Sequence, residues 1–204
     1  MAWVALEGGD GSGKSTQARR LADAIGAVLT REPGATTVGA ELRRILLDPA
    51  LGPIDPRAEA LLMAADRAQH IADVVLPALE AGRHVVSDRS AMSFLAYQGA
   101  GRGLDVDMLR RISDWASQHR WPDLVVLIDV SNEIATRRMA GGLRDRLEAE
   151  GAGFHDRVRA GFAALAAEDP QRWAVVDGTG AVDDVARLVR DAWDRHLAGV
   201  ASGG

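Results

Sequence analysis

Apolar residues along this chain gather in five short, unbroken runs at residues 3–7, 27–31, 84–88, 124–130 and 173–177, rich in valine and leucine. A strand with one wet face alternates apolar and polar side chains. A continuous apolar run of this length instead fits a parallel strand covered on both faces. Between the runs the spacing turns helical: in residues 15–25, Ala18, Leu21, Ala22 and Ile25 fall on one face. Comparable stretches lie near 38–47, 56–81, 105–118, 132–139, 154–168 and 182–197. Alternation of such strands and helices predicts an α/β fold, a three-layer α/β/α arrangement around a five-stranded parallel sheet. Right-handed crossovers then bring the C-terminal ends of all strands to one edge, where ligands bind. Neither an internal repeat nor an interdomain linker is visible. Residues 1–197 read as a single domain and the small, polar residues 198–204 as a frayed tail.

Composition narrows the function. A net charge of −5 argues against broad nucleic-acid binding, which needs a basic face. The absence of cysteine excludes disulfides and thiolate metal sites. The first run meets Glu7 too soon for a signal peptide, and no apolar run approaches the roughly 20 residues of a membrane span. A soluble, cytoplasmic protein is expected. Of 24 basic residues, Lys14 is the one lysine and the rest are arginine. A compact ammonium and a planar guanidinium do different work, so the position of that lysine is informative.

Lys14 closes Gly8-Gly9-Asp10-Gly11-Ser12-Gly13-Lys14-Ser15, a complete G-x-x-x-x-G-K-S/T phosphate loop, followed by Thr16. It lies after a buried strand and before a helix, as its mechanism demands. Glycines let the backbone N–H groups wrap a phosphate, and the helix N-terminus adds positive potential. Lys14 then reaches the β- and γ-phosphates and Ser15 ligates Mg²⁺. ATP or GTP binding follows; the reaction does not. The N-K-x-D guanine motif of many GTPases is impossible here, because the only lysine is Lys14 and the only asparagine is Asn132. A small-molecule kinase is favoured. At the end of the third run, Asp88-Arg89 faces the same edge. Arg89 suits a bidentate clamp on an acceptor phosphate, with Asp88 orienting it or serving the Mg²⁺ shell.

Four ordered segments resemble the thymidylate kinase family. Thr30-Arg31-Glu32-Pro33-Gly34 is similar to its T-R-E-P-G signature. Asp88-Arg89 with Ala96-Tyr97-Gln98-Gly99 resembles its D-R-x-x-x-S-x-x-A-Y-Q-G segment, which includes Ser93. Asp145-Arg146-Leu147-Glu148, with Phe154 and residues 157–162, resembles its lid and the following helix. The resemblance covers nearly the whole chain. It implies a P-loop NTPase fold with a small lid, about residues 137–153, and transfer of the γ-phosphoryl of ATP to dTMP, giving dTDP. It further implies Mg²⁺ and a homodimer.

By the same resemblance, Arg89 and Arg43 hold the acceptor phosphate and Arg67 meets thymine. Asp10 approaches the sugar 3′-hydroxyl and the metal, Tyr97 favours deoxyribose, and Gln98, Glu32, Pro33 and Ser93 belong to the nucleotide site. Some members carry an arginine inside the P-loop after the acid. Gly11 stands there in this chain, which resembles the bacterial type with catalytic arginines in the lid; Arg144 and Arg146 are the candidates, and Arg138 is a third, on the ATP side. Three positions depart from the family pattern. Met63 replaces a phenylalanine that stacks on thymine, Ser90 an aromatic or histidine, and Phe94 a small polar residue. Two readings of Phe94 stay open: it supplies the missing stacking surface with Met63 filling the gap, or it points into the core and leaves a looser pocket. The alternatives to dTMP kinase are a P-loop kinase for another deoxynucleotide or a nucleoside, and an ATP-dependent switch without turnover.

Overall fold

Strands β1 (Trp3–Glu7), β2 (Val28–Arg31), β3 (Val85–Asp88), β4 (Leu124–Asp129) and β5 (Trp173–Asp177) form the sheet of the computed structural model, which describes residues 1–202. All pairs are parallel, in the order β2-β3-β1-β4-β5. The α/β fold and the five strands are those expected. Each strand lies within its apolar run, with β2 and β3 starting one residue later and β4 ending one residue earlier. β1 is central, so the loop that leaves it opens in the middle of the ligand edge. Leu6 pairs with Asp88 in register, and the Arg89 backbone N–H donates to the Leu6 carbonyl at 3.0 Å. The phosphate loop and the Asp88-Arg89 turn are therefore neighbours by strand pairing alone.

The helices are α1 (Lys14–Ile25), α2 (Thr37–Leu47), α3 (Pro56–His70), α4 (Leu76–Glu80), α5 (Ala91–Phe94), α6 (Val106–Ala116), α7 (Asn132–Arg138), α8 (Ala152–Glu168) and α9 (Val182–Ser202). On one side of the sheet α1 and α9 bury Leu21, Val189 and Trp193 against Leu6, Val126 and Ile128. The other side gathers Phe94, Tyr97, Phe154 and Phe162 over Val125 and Leu127. Full burial of side chains this size contributes about 1.5–3 kcal/mol each, which anchors both layers.

Three differences from the sequence reading have physical causes. The stretch 56–81 is interrupted by a π-helical turn, Ile71–Val75, before α4. Pro77 offers no N–H to the preceding turn and its ring crowds it, so the helix widens there. Residues 91–101, assigned to no helix from the sequence, continue from α5 into a second π-helical segment, Leu95–Gly101. Helix α9 takes in residues 198–202, where a tail was expected; its heptad-like burial of Val185, Val189, Ala192 and Trp193 carries it onward. Residues 203 and 204 of that tail lie outside the described residues. No helix among the described residues is long and apolar enough to cross a membrane.

Candidate active site

Residues 8–13 leave β1 and turn directly into α1, whose first residue is Lys14. The loop is pressed against β4 and α7. A Cβ on Gly8 (φ 144°) would lie 2.7 Å from the Ile128 carbonyl oxygen, and one on Gly11 (φ 77°) 2.5 Å from that of Ala135. Glycine is required at both points by space and by backbone angle. Lys14 is buried and curls back over the loop, its Nζ donating to the Gly9 carbonyl at 3.2 Å and to Asp10 Oδ1 at 3.4 Å. Burial and the nearby Arg89 charge lower its pKa, while Asp10 and Asp88 oppose that fall.

Arg89 reaches the same carboxylate from β3. Its Nη2 donates to Asp10 Oδ1 and, at 3.2 Å, to the Tyr97 hydroxyl. Its Nη1 donates to the Gly8 carbonyl at 3.2 Å and to Ser93 Oγ at 2.9 Å. Tyr97 donates to Asp10 Oδ2 at 2.9 Å, and its ring lies 5.0 Å under the guanidinium. Burial alone would raise the Asp10 pKa, but Arg89 and Lys14 hold it well below the usual carboxylate range. Arg89 adopts φ 74°, unusual for a residue with a Cβ. Strain of this kind, on the order of 1–3 kcal/mol, persists only where surroundings fix it. The residue that follows Arg89 is bonded to Glu7, which sequence reasoning missed. It is fully buried and accepts from Ser90 Oγ (2.8 Å), Ser93 Oγ (2.5 Å) and the Ser93 N–H (3.3 Å). Burial raises its pKa to about 7 against the opposing pull of Ser93, Arg89, Ser90 and Lys14. Its position as the last residue of β1, an acid ending a buried apolar run, was the available signal.

A cavity of about 310 Å³ opens beside these groups. Its lining includes Asp10, Lys14, Ser15, Asp88 and Arg89, and also Met63, Arg67, Phe94 and Gln98. Arg67 is buried and rigid. Its Nε and Nη2 both donate to Glu32 Oε2, at 3.0 and 2.8 Å, and its guanidinium sits 5.0 Å over the Phe94 ring. The other Glu32 oxygen pairs with His70 Nδ1 at 2.9 Å, and His70 Nε2 with Thr30 Oγ1 at 2.7 Å. Glu32 thus acts on the cavity through Arg67. Pro33 presents its carbonyl to Arg43 Nη1 at 3.1 Å, which turns that arginine into the same space. Asp66, another residue sequence reasoning missed, accepts from the Gly34 N–H at 2.9 Å; burial, then the Glu32 charge, push its pKa up to about 6.

The lid arginines part company. Arg138 reaches the phosphate loop, donating to the Ser12 carbonyl at 3.3 Å and to the Gly178 carbonyl at 2.8 Å. Arg144 is exposed beside a smaller hollow that Gly8, Gly9 and Asp10 also line. Arg146 is not brought to the phosphate loop. Its guanidinium is committed to Glu59 and to the Leu46 carbonyl, and it lines neither hollow. In this structure a buried carboxylate holds the Arg146 charge away from the phosphate loop. Thr16 lies on exposed α1 surface, outside the cavity lining. Among the described residues, no cluster of three or more His, Asp or Glu could cage a metal. Asp88 Oδ1, however, is buried without a hydrogen-bond partner next to Ser15 and Lys14 in the cavity wall. One free carboxylate oxygen and one hydroxyl fit a Mg²⁺ that keeps waters and phosphate oxygens as its other ligands.

The family model described as thymidylate kinase matches residues 6–189. A thymidylate kinase of Leifsonia xyli subsp. xyli is 51% identical over 202 residues, covering 96% of this chain and 95% of that protein. One from Pelotomaculum thermopropionicum is 45% identical over 208 residues, with 97% and 96% covered. The crystal structure of thymidylate kinase from Ehrlichia chaffeensis superposes with a TM-score of 0.73 at 31% identity, covering 86% of this chain and 91% of that one. A P-loop at the centre of a five-stranded parallel sheet, an arginine beside it from β3, and similarity along nearly the full length lead to one conclusion: the chain belongs to the thymidylate kinase family.

Proposed function

We propose that the protein transfers the γ-phosphoryl group of ATP to dTMP, giving dTDP, with Lys14 and Arg89 as the cations that join donor and acceptor. The observation that carries this reading is their convergence. Buried Lys14 at the start of α1 and half-buried Arg89 just after β3 point at one carboxylate, Asp10, with Arg89 also touching the phosphate loop through the Gly8 carbonyl. A phosphate monoester has a second pKa of ~6 and is mostly dianionic near pH 7, so the acceptor needs no general base. The obstacle is the approach of two anions and the charge spread over the moving phosphoryl. Preorganised positive charge in a water-poor site answers it. Lys14 and the loop hold the donor, Arg89 and Arg43 hold the acceptor in line, and Arg144 swings in from the lid. Arg138 clasps the loop from the nucleotide side. Asp88 and Ser15 are the residues that would hold Mg²⁺, which neutralises phosphate charge when bound.

Tyr97 and Asp10 form the sugar end of the acceptor site, and Arg67 with Phe94 and Met63 the base end. Gln98 is held by Glu59 at 2.9 Å and lines the same cavity. Exposed Trp115 and Met108 on α6 and Leu61 on neighbouring α3 form the face through which the chain pairs with a second copy. The test is a coupled ATP-to-ADP assay with Mg²⁺ and dTMP, dUMP, UMP, dCMP, dGMP and thymidine in parallel. Strong preference for dTMP supports the reading. Preference for another monophosphate keeps the mechanism and moves the substrate, and binding of ATP without turnover overturns it.

A further inference from the structure

The second half of the lid is docked on the acceptor side of the molecule through one buried carboxylate. Glu59, on the first turn of α3, has no exposed surface. Its Oε1 accepts from Gln98 Nε2 at 2.9 Å and Arg102 Nε at 3.1 Å; its Oε2 accepts from Arg102 Nη2 at 3.1 Å and from Arg146 Nη2. Burial pushes the carboxyl pKa up, but hydrogen bonds from Arg102, Gln98 and Arg146 outweigh it and hold the group below its usual value. Arg146 is fastened twice more, by Nε to the Leu46 carbonyl at 2.8 Å and by its backbone N–H to the Leu47 carbonyl at 3.1 Å. Arg102 also pairs with Glu150, so two arginines and two glutamates balance locally.

The segment around Arg146 is itself rigid. Asp145 Oδ1 accepts the N–H groups of Leu147 and Glu148, both at 2.9 Å, and Glu148 returns a bond to the Asp145 N–H at 3.1 Å. Leu147 is buried with Phe94, Tyr97 and Phe154 and lines the cavity. The residues just before it contrast. Gly141 has φ 91°, Leu143 is fully exposed, and Arg144 makes no hydrogen bond or ion pair among the described residues.

We infer that Glu59 and Arg146 are positioning residues, an anchor that fixes the lid's base at residues 145–150 so that Arg144, two residues away, pivots over the phosphate loop from a fixed point. This deepens the kinase reading above and rests on it. The same carboxylate holds Gln98 in the nucleotide cavity, so the lid base and the acceptor site share one support.

The experiment compares Arg146→Gln, Glu59→Gln, the pair together, and Arg144→Gln in the full chain. Lid order is read by amide hydrogen exchange of residues 145–150, and activity by kcat and KM. Arg146→Lys is the milder variant should Glu59→Gln fail to fold. Expected are faster exchange at 145–150 in Arg146→Gln, and kcat lower by roughly 10- to 100-fold. Arg144→Gln should leave that exchange unchanged and lose roughly 10³-fold or more, as an arginine that meets the transferring phosphoryl does. The double variant should be no worse than the worse single one, because the two share one interaction. Unchanged exchange in Arg146→Gln overturns the anchor whatever happens to kcat. Faster exchange with undiminished kcat overturns its role in the reaction. Exchange is read without turnover, so a wild-type chain inactive on dTMP would sink the kinase reading and leave the anchor to be judged on its own.

Discussion

Glu32→Gln tests whether a buried carboxylate builds the nucleobase end of the site through a second residue. Glu32 touches Arg67 through two bonds to one oxygen and His70 through the other, with both Glu32 and Arg67 buried. An amide keeps the shape but removes the charge. If its oxygen faces Arg67, its NH₂ faces His70 Nδ1, which must then accept, leaving Nε2–H to donate to Thr30. The hydrogen bonds can be rebuilt; the counter-charge cannot. Removing one partner of a buried pair typically costs 3–5 kcal/mol. Asp66 limits the loss. Its pKa is raised partly by the Glu32 charge, so removing that charge favours its ionised form near Arg67. The lower end, about 3 kcal/mol, is expected. At about 2–4 °C per kcal/mol for a chain of this size, Tm should fall by about 6–12 °C. With Arg67 no longer held, KM for dTMP should rise about tenfold while KM for ATP stays put. Differential scanning calorimetry and the coupled assay supply both readings. A variant with unchanged Tm and unchanged KM for dTMP would refute the claim that Glu32 holds Arg67.

Lys14→Ala and Arg89→Ala should each fold, by circular dichroism, and lose 10³- to 10⁵-fold in turnover, on the order of 4–7 kcal/mol of transition-state stabilisation; near-normal turnover in either would remove that residue from the mechanism. Glu7 makes stability depend on pH. Its folded pKa, about 7, lies above the ordinary 4.5. The native state therefore holds a proton that the unfolded chain has lost, and stability falls as pH rises from about 4.5 to about 7, by on the order of 3 kcal/mol, then levels. Denaturant melts of wild type and Glu7→Gln across that range check the sign, since the amide should flatten the slope.

The fold was legible because parallel strands buried on both faces leave unbroken apolar runs, and the phosphate loop because its glycines and lysine answer a local geometric need. Arg89 was legible because strand pairing sets it beside that loop. What escaped the sequence is what depends on tertiary partners. Glu7 looks like an ordinary strand end until Ser90 and Ser93 close on it from the start of α5. Glu59 reads as a solvated helix acid next to Arg57, yet Arg57 is exposed and Glu59 is the buried centre of four bonds. Arg146 and Arg144 are alike in sequence, two arginines in one charged segment. Only the placement of Glu59 separates the one that is tied down from the one that is not.

Phe94 combines features of both readings that the sequence left open. Phe94 is buried, as a core residue would be, and it also lines the cavity with Arg67 stacked on its face at 5.0 Å. Met63 packs against the same cluster from the partly exposed side. We propose that the ring serves the base through the guanidinium it supports. Two losses must be kept apart experimentally. Phe94→Ser removes the ring and opens a cavity, so about 3–5 kcal/mol of stability should go with it. Phe94→Leu keeps most of the apolar volume and removes only the π-face. A cation–π contact of about 0.5–2 kcal/mol corresponds to about 2- to 30-fold in affinity. Phe94→Leu should thus raise KM for dTMP within that span, with Tm close to wild type and KM for ATP unchanged. If KM for dTMP does not move in Phe94→Leu, Arg67 is held without the ring, by Glu32 and Ser113, and the ring is only core.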